Sequence, residues 1–131
     1  MDVGGKSGYV IYKRFTMIIY IGFSTKTYKT LAHIVCRKFK HCAPVVLTKN
    51  KCKIYQFTKI NKITIINVKK RDIKILEQYG WKFVKYNVKF LPQNALNIRA
   101  LTCVQFTKKF CEIEKITIQT PDALLKYLIT K

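Results

Sequence analysis

The segment Leu101-Thr102-Cys103-Val104-Gln105-Phe106-Thr107-Lys108 constrains this chain more than any other. It begins an amphipathic helix, with Thr102 placed as the N-cap and a cysteine in the first turn. A one-sided helix has to cover its apolar stripe with another layer. A thiol at a helix N-terminus is also pushed toward thiolate, because the dipole and the unpaired N–H groups favour negative charge there. Upstream, Lys40-His41-Cys42-Ala43-Pro44-Val45-Val46-Leu47 puts a histidine at the start of an apolar strand. If that strand lies beside the helix, His41 can take the Cys103 proton and the two form a nucleophile–base dyad.

The remaining elements follow from period and punctuation. Residues 17–23 read as a strand, and Ser24 or Thr25 caps a helix running to about residue 40 whose apolar face carries Tyr28, Leu31, Ile34, Val35 and Phe39. Residues 43–47 and 52–58 read as a hairpin closed by Lys49-Asn50-Lys51, and a further strand covers 63–68. A short helix over 70–79 ends at Gly80, a natural residue for the left-handed position after a helix. Residues 81–88 alternate and form a strand, and 91–98 is expected as a loop holding Pro92. Thr120-Pro121-Asp122 starts a final helix. The expected product is a single α+β domain over 17–131, with a central antiparallel sheet of about five strands and flanking helices, preceded by a flexible or extended arm over 1–16.

Twenty-six Lys and Arg against six Asp and Glu leave a formal charge of +20. Abundant Asn, Ile, Lys and Tyr fit an AT-rich coding bias, and a selected anionic partner fits the charge equally well. Either origin draws the protein to polyanions: nucleic acid, anionic lipid or an anionic cell-wall polymer. Aromatics interleaved with lysines in 55–59 and 81–90 can stack bases, although alternating strands produce the same pattern. The five cysteines, Cys36, Cys42, Cys52, Cys103 and Cys111, match no disulfide framework, so a reducing compartment is the simpler home. With no CxxC pair and only His33 besides His41, neither a metal site nor a cofactor is implied. The apolar run over 15–23 is too short to span a membrane and lacks the small-residue cleavage site of a signal peptide.

Several segments resemble the circularly permuted branch of the NlpC/P60 superfamily, in its small phage- and prophage-encoded form. Gly22-Phe23-Ser24-Thr25 resembles the family's opening strand and helix. Phe39-Lys40-His41-Cys42 with Val45-Val46-Leu47 resembles its histidine strand, with Lys40 where serine is commoner. Leu101 through Ile113 is similar to its T-C-V-x-F-x-K-x-x-x-G-I helix, with Glu112 where glycine is usual. Thr120 through Leu128 is similar to its closing T-P-x-x-L-x-x-x-L helix. In this branch the histidine precedes the cysteine, as it does here.

The resemblance implies a papain-like fold and a thiol hydrolase, with Cys103 as nucleophile and His41 as general base. It also implies a polar residue on a later strand that orients the histidine. Gln56, Tyr55 and Thr64 are the candidates, and Gln56 is chosen because the hairpin sets its strand beside that of His41. The oxyanion would be held by the backbone N–H of Cys103. The implied substrates are amide bonds such as those of peptidoglycan stem peptides, or acyl groups on lipids or proteins. The implied setting is the cytoplasm or a virion. Cys36, Cys42, Cys52 and Cys111 are read as passive. The alternative is a basic polyanion-binding or phage structural protein that carries an inactive hydrolase fold.

Overall fold

The computed structural model describes residues 9–11, 17–25, 38–49, 51–59 and 62–130. The strands are β1 (Tyr9–Ile11), β2 (Met17–Ser24), β3 (His41–Leu47), β4 (Lys51–Lys59), β5 (Lys62–Lys69), β6 (Trp81–Val88) and β7 (Phe90–Pro92). The α-helices among the described residues are α1 (Ile73–Gln78), α2 (Cys103–Cys111) and α3 (Pro121–Thr130). Five strands form one antiparallel sheet in the order β5-β4-β3-β2-β6, as expected of an α+β domain.

Alternation along the strands sorts the core into two layers. Ile19, Ile21 and Phe23 of β2, Cys42 and Val46 of β3 and Phe57 of β4 share one buried cluster with Val104, Phe106 and Phe110 of α2 and Leu124 of α3. Ala43, Val45, Cys52 and Ile54 form a second cluster, which Ile73 and Leu76 of α1 and Phe83 of β6 pack against. Strand β3 is therefore covered on both faces, which is why residues 42–46 are all buried and read as a continuous apolar run. Edge strand β5 instead alternates between exposed and half-buried positions, and Lys62 and Lys69 stand at its ends.

Pro44 sits inside this central strand, where a residue without an N–H is unusual. The ladder between β3 and β4 covers only Val45, Val46 and Leu47, opposite Ile54, Lys53 and Cys52. Beyond that point β4 continues to Lys59 paired with β5 alone. The His41 end of β3 is thus unladdered on the β4 side, and the Gln56–His41 side-chain bond bridges the two strands there.

Two expectations change. The loop expected over 91–98 begins as β7, which pairs with β1 from the expected arm in a separate two-stranded ribbon and is followed by a 3-10 turn at Ala95–Asn97. No local pattern announces a strand whose only partner lies some eighty residues away. The helix expected from residue 24 to about 40 falls largely outside the described residues. Ser24 closes β2, and 38–40 form irregular chain held at both ends. Phe39 N–H donates to the Asp122 carboxylate of α3 at 3.2 and 3.3 Å, and Lys40 N–H donates to Ser24 O at 2.8 Å. These bonds fix the chain just ahead of His41.

Helix α2 ends at Glu112, which is left-handed with φ 57° and ψ 41°. Ile113 N–H closes onto Lys108 O at 2.8 Å, the bond that satisfies a C-terminal carbonyl. A left-handed side-chain-bearing residue costs about 1–2 kcal/mol, and a carboxylate at a helix C-terminus opposes the dipole. Glu112→Gly should therefore raise stability by about 0.5–1 kcal/mol after the extra chain entropy of glycine is subtracted. Denaturant unfolding reads this directly, and an unchanged or lower midpoint would contradict the strain.

Candidate active site

Cys103 occupies the first position of α2, and the local sequence holds it there. The Thr102 hydroxyl accepts from Gln105 N–H at 3.0 Å, and the Gln105 side chain reaches back to accept from Leu101 N–H at 2.7 Å. This reciprocal cap, worth about 1 kcal/mol, leaves the partly exposed thiol at the positive end of the helix. One turn on, the Thr107 hydroxyl donates to Cys103 O at 2.8 Å and lies 3.5 Å from the Cys42 sulfur.

Two side chains from the start of β3 meet the Cys103 sulfur. The Cys42 thiol, the His41 imidazole and the Cys42 backbone each favour its thiolate form. The Cys103 pKa is lowered to about 4: the Cys42 bond contributes most, burial opposes it, and the bond and charge of His41 add to the lowering. A proton held on Cys42 is the complement of this. Burial and its bond to Cys103 push the Cys42 thiol well above the usual range. Cys111 is also pushed up by burial, and so is Cys52, with Lys70 opposing.

Gln56 reaches the same histidine across the gap beyond Pro44. Its Oε1 hydrogen-bonds His41 Nε2, so the ring is anchored in one orientation. The indole of Trp81 stands edge-on to the imidazole, with centroids 6.2 Å apart, and stacks on Phe83 at 5.7 Å. That stack fits over β2 only because residue 22 is glycine, where a Cβ would meet Trp81 and Phe83 atoms at 2.9 Å.

No protein-family profile, curated protein or solved structure matches this chain.

Of the dyad and its orienting residue expected from the sequence, Gln56 hydrogen-bonds His41, and His41 in turn favours the Cys103 thiolate. The other two orienting candidates do not reach the histidine. The Tyr55 ring packs on Phe110 at 4.9 Å on the opposite face of β4, and Thr64 pairs with Gln56 from β5, one strand farther away. Cys42, read from the sequence as passive, is the first cause of the lowered Cys103 pKa. A signal for this was present: Cys42 follows His41, so alternation turns it to the face that α2 covers. Trp81 borders the site. Among the described residues, no group of three or more His, Cys, Asp or Glu is placed to hold a metal ion, and no helix is long and apolar enough to cross a membrane.

Proposed function

We propose that this protein is a thiol hydrolase of the permuted NlpC/P60, papain-like kind, cleaving an amide or acyl bond. One observation carries the reading: a helix-capped thiol whose pKa is lowered by Cys42 and by a histidine that Gln56 holds through Nε2. In this reading the Cys103 sulfur attacks the substrate carbonyl carbon, and the resulting oxyanion is met by the Cys103 backbone N–H at the head of α2. The C–N or C–O bond then breaks as the His41 imidazolium gives its proton to the leaving group, leaving an acyl-thioester on Cys103. Neutral His41 next takes a proton from water, which displaces the acyl group as a carboxylic acid and restores the thiolate and the imidazolium. Gln56, an uncharged acceptor, keeps the ring turned toward the sulfur throughout. Peptidoglycan stem peptides and acyl groups on lipids or proteins are the proposed substrate classes. Cys42, Cys52, Cys103 and Cys111 are all free thiols, which supports a reducing compartment or a virion assembled in one.

The charge of +20 supports a second reading, a polyanion-binding protein with the same fold. One experiment separates the two. The protein is incubated with activated esters and stem-peptide amides and examined by intact mass, and Cys103→Ala is titrated with DNA over a range of salt. The hydrolase reading expects an acyl adduct on Cys103, no adduct or turnover in Cys103→Ala, and DNA binding that is the same in both proteins and weakens steeply with salt. The thiol adds almost nothing to the surface field, so binding should not notice it. Absence of any adduct, together with DNA binding lost in a folded Cys103→Ala, would transfer the site to the binding function.

A further inference from the structure

We propose that Cys42 and Cys103 are a reversible redox pair, in which Cys42 captures Cys103 as a disulfide after a hydroperoxide has oxidised it. This does not rest on the hydrolase reading, only on two cysteines that Thr107 joins at the start of α2. Cys103 is partly exposed at the head of α2, whereas Cys42 is completely buried on β3 beneath it. Thr107 ties the two residues together: its hydroxyl lies 3.5 Å from the Cys42 sulfur and donates to the Cys103 carbonyl at 2.8 Å, and each thiol shifts the pKa of the other. The other described cysteines are less well placed. Cys52 belongs to the cluster on the opposite face of the sheet. Cys111 closes α2, eight residues from Cys103 and so about 12 Å along the axis.

The chemistry divides between the two sulfurs according to their exposure. The Cys103 thiolate attacks the outer oxygen of a hydroperoxide. The O–O bond breaks, an S–O bond forms, and the other oxygen leaves with a proton as an alcohol or water. Cys103 is now a sulfenic acid, oxidised by two electrons. The Cys42 sulfur then attacks the Cys103 sulfur. The S–O bond breaks as an S–S bond forms, and the hydroxide leaves with the Cys42 proton as water. Disulfide formation requires the sulfurs to close to about 2.05 Å, and Cys103 stands in the first turn of α2, where a side chain can rotate toward Cys42. The high pKa of Cys42 slows this second step, and the proximity that Thr107 enforces offsets it. The outcome is protective: a sulfenic acid that meets no thiol goes on to sulfinic acid, which ordinary thiols do not reduce.

The test uses the reduced full chain treated with hydrogen peroxide and mapped by mass spectrometry without reduction. A bridge between the Cys42 and Cys103 peptides that dithiothreitol reverses is expected. In Cys42→Ala the same treatment should leave Cys103 as sulfinic or sulfonic acid, with thiol recovered by dithiothreitol at least about fivefold lower. Cys111→Ala should bridge like the wild type. Should Cys42→Ala not fold, the wild-type map decides alone. Cys103 found as sulfinic acid beside a reduced Cys42, a bridge to any other cysteine, or a Cys103 that peroxide leaves untouched would each overturn the pairing.

Discussion

At pH 5, iodoacetamide should alkylate Cys103 about 30-fold faster than an ordinary exposed thiol. With a pKa of about 4, Cys103 is almost wholly thiolate at that pH, whereas a thiol with a pKa near 8.5 is ionised in roughly one molecule in 3,000. Against this, a less basic thiolate is a weaker nucleophile, by about 100-fold over this pKa difference. The balance favours Cys103 in acid and vanishes near neutrality, so labelling at pH 7 would miss the effect. The sign of the pH dependence follows: the Cys103 rate should be flat from neutral pH downward and fall only as the thiolate is protonated near pH 4. His41→Ala should move that midpoint upward. Cys42→Ala should move it farther, because its hydrogen bond is the largest cause of the lowering. On the proposed reaction His41→Ala should also reduce turnover by about 10²–10⁴-fold, the usual contribution of a general acid–base. A Cys103 rate that climbs through pH 8–9 like any other thiol would remove the basis of the hydrolase reading.

Phe106→Ala should destabilise the protein by about 3–5 kcal/mol, the range for deleting a buried aromatic ring. Phe106 is fully buried where α2 meets the sheet, with Phe57 of β4 at 6.3 Å and Phe110 at 6.1 Å between ring centroids. Its neighbours come from a helix and a strand that cannot both collapse into the void, which argues for the upper half of the range. Against a total stability of about 5–15 kcal/mol, this is a large part, and a melting point lower by roughly 10–20 °C is expected. Urea unfolding of the two proteins measures it. A loss below 1 kcal/mol would mean that α2 is not anchored through this residue. Cys103 would then lack the rigid support its position requires.

Much of this was legible in the sequence because it depends on near neighbours. Thr102 and Gln105 cap α2, so the place of Cys103 at a helix head needs only four consecutive residues. Alternation in β2 and β6, the β3–β4 hairpin and Gly80 after α1 are similarly local, and Gly80 does take φ +98°. The hairpin alone favours Gln56 and excludes Thr64 on the farther strand, and the packing of Tyr55 on Phe110 separates Gln56 from Tyr55.

Other features depended on segments far apart in the chain. Pairing of β1 with β7 joins residues some eighty positions apart, and Asp122 holds Phe39 N–H across 83 residues; neither leaves a local trace. Unladdering of β3 from β4 past Pro44 places the Gln56 amide against His41, a distance that strand period alone does not specify. Most consequential is Cys42. Sequence determined that its side chain faces the α2 side of β3, because successive strand residues point to opposite faces. Only the seating of α2 over the start of β3 decided that this side chain touches Cys103, since the contact depends on where a helix sixty residues later comes to rest.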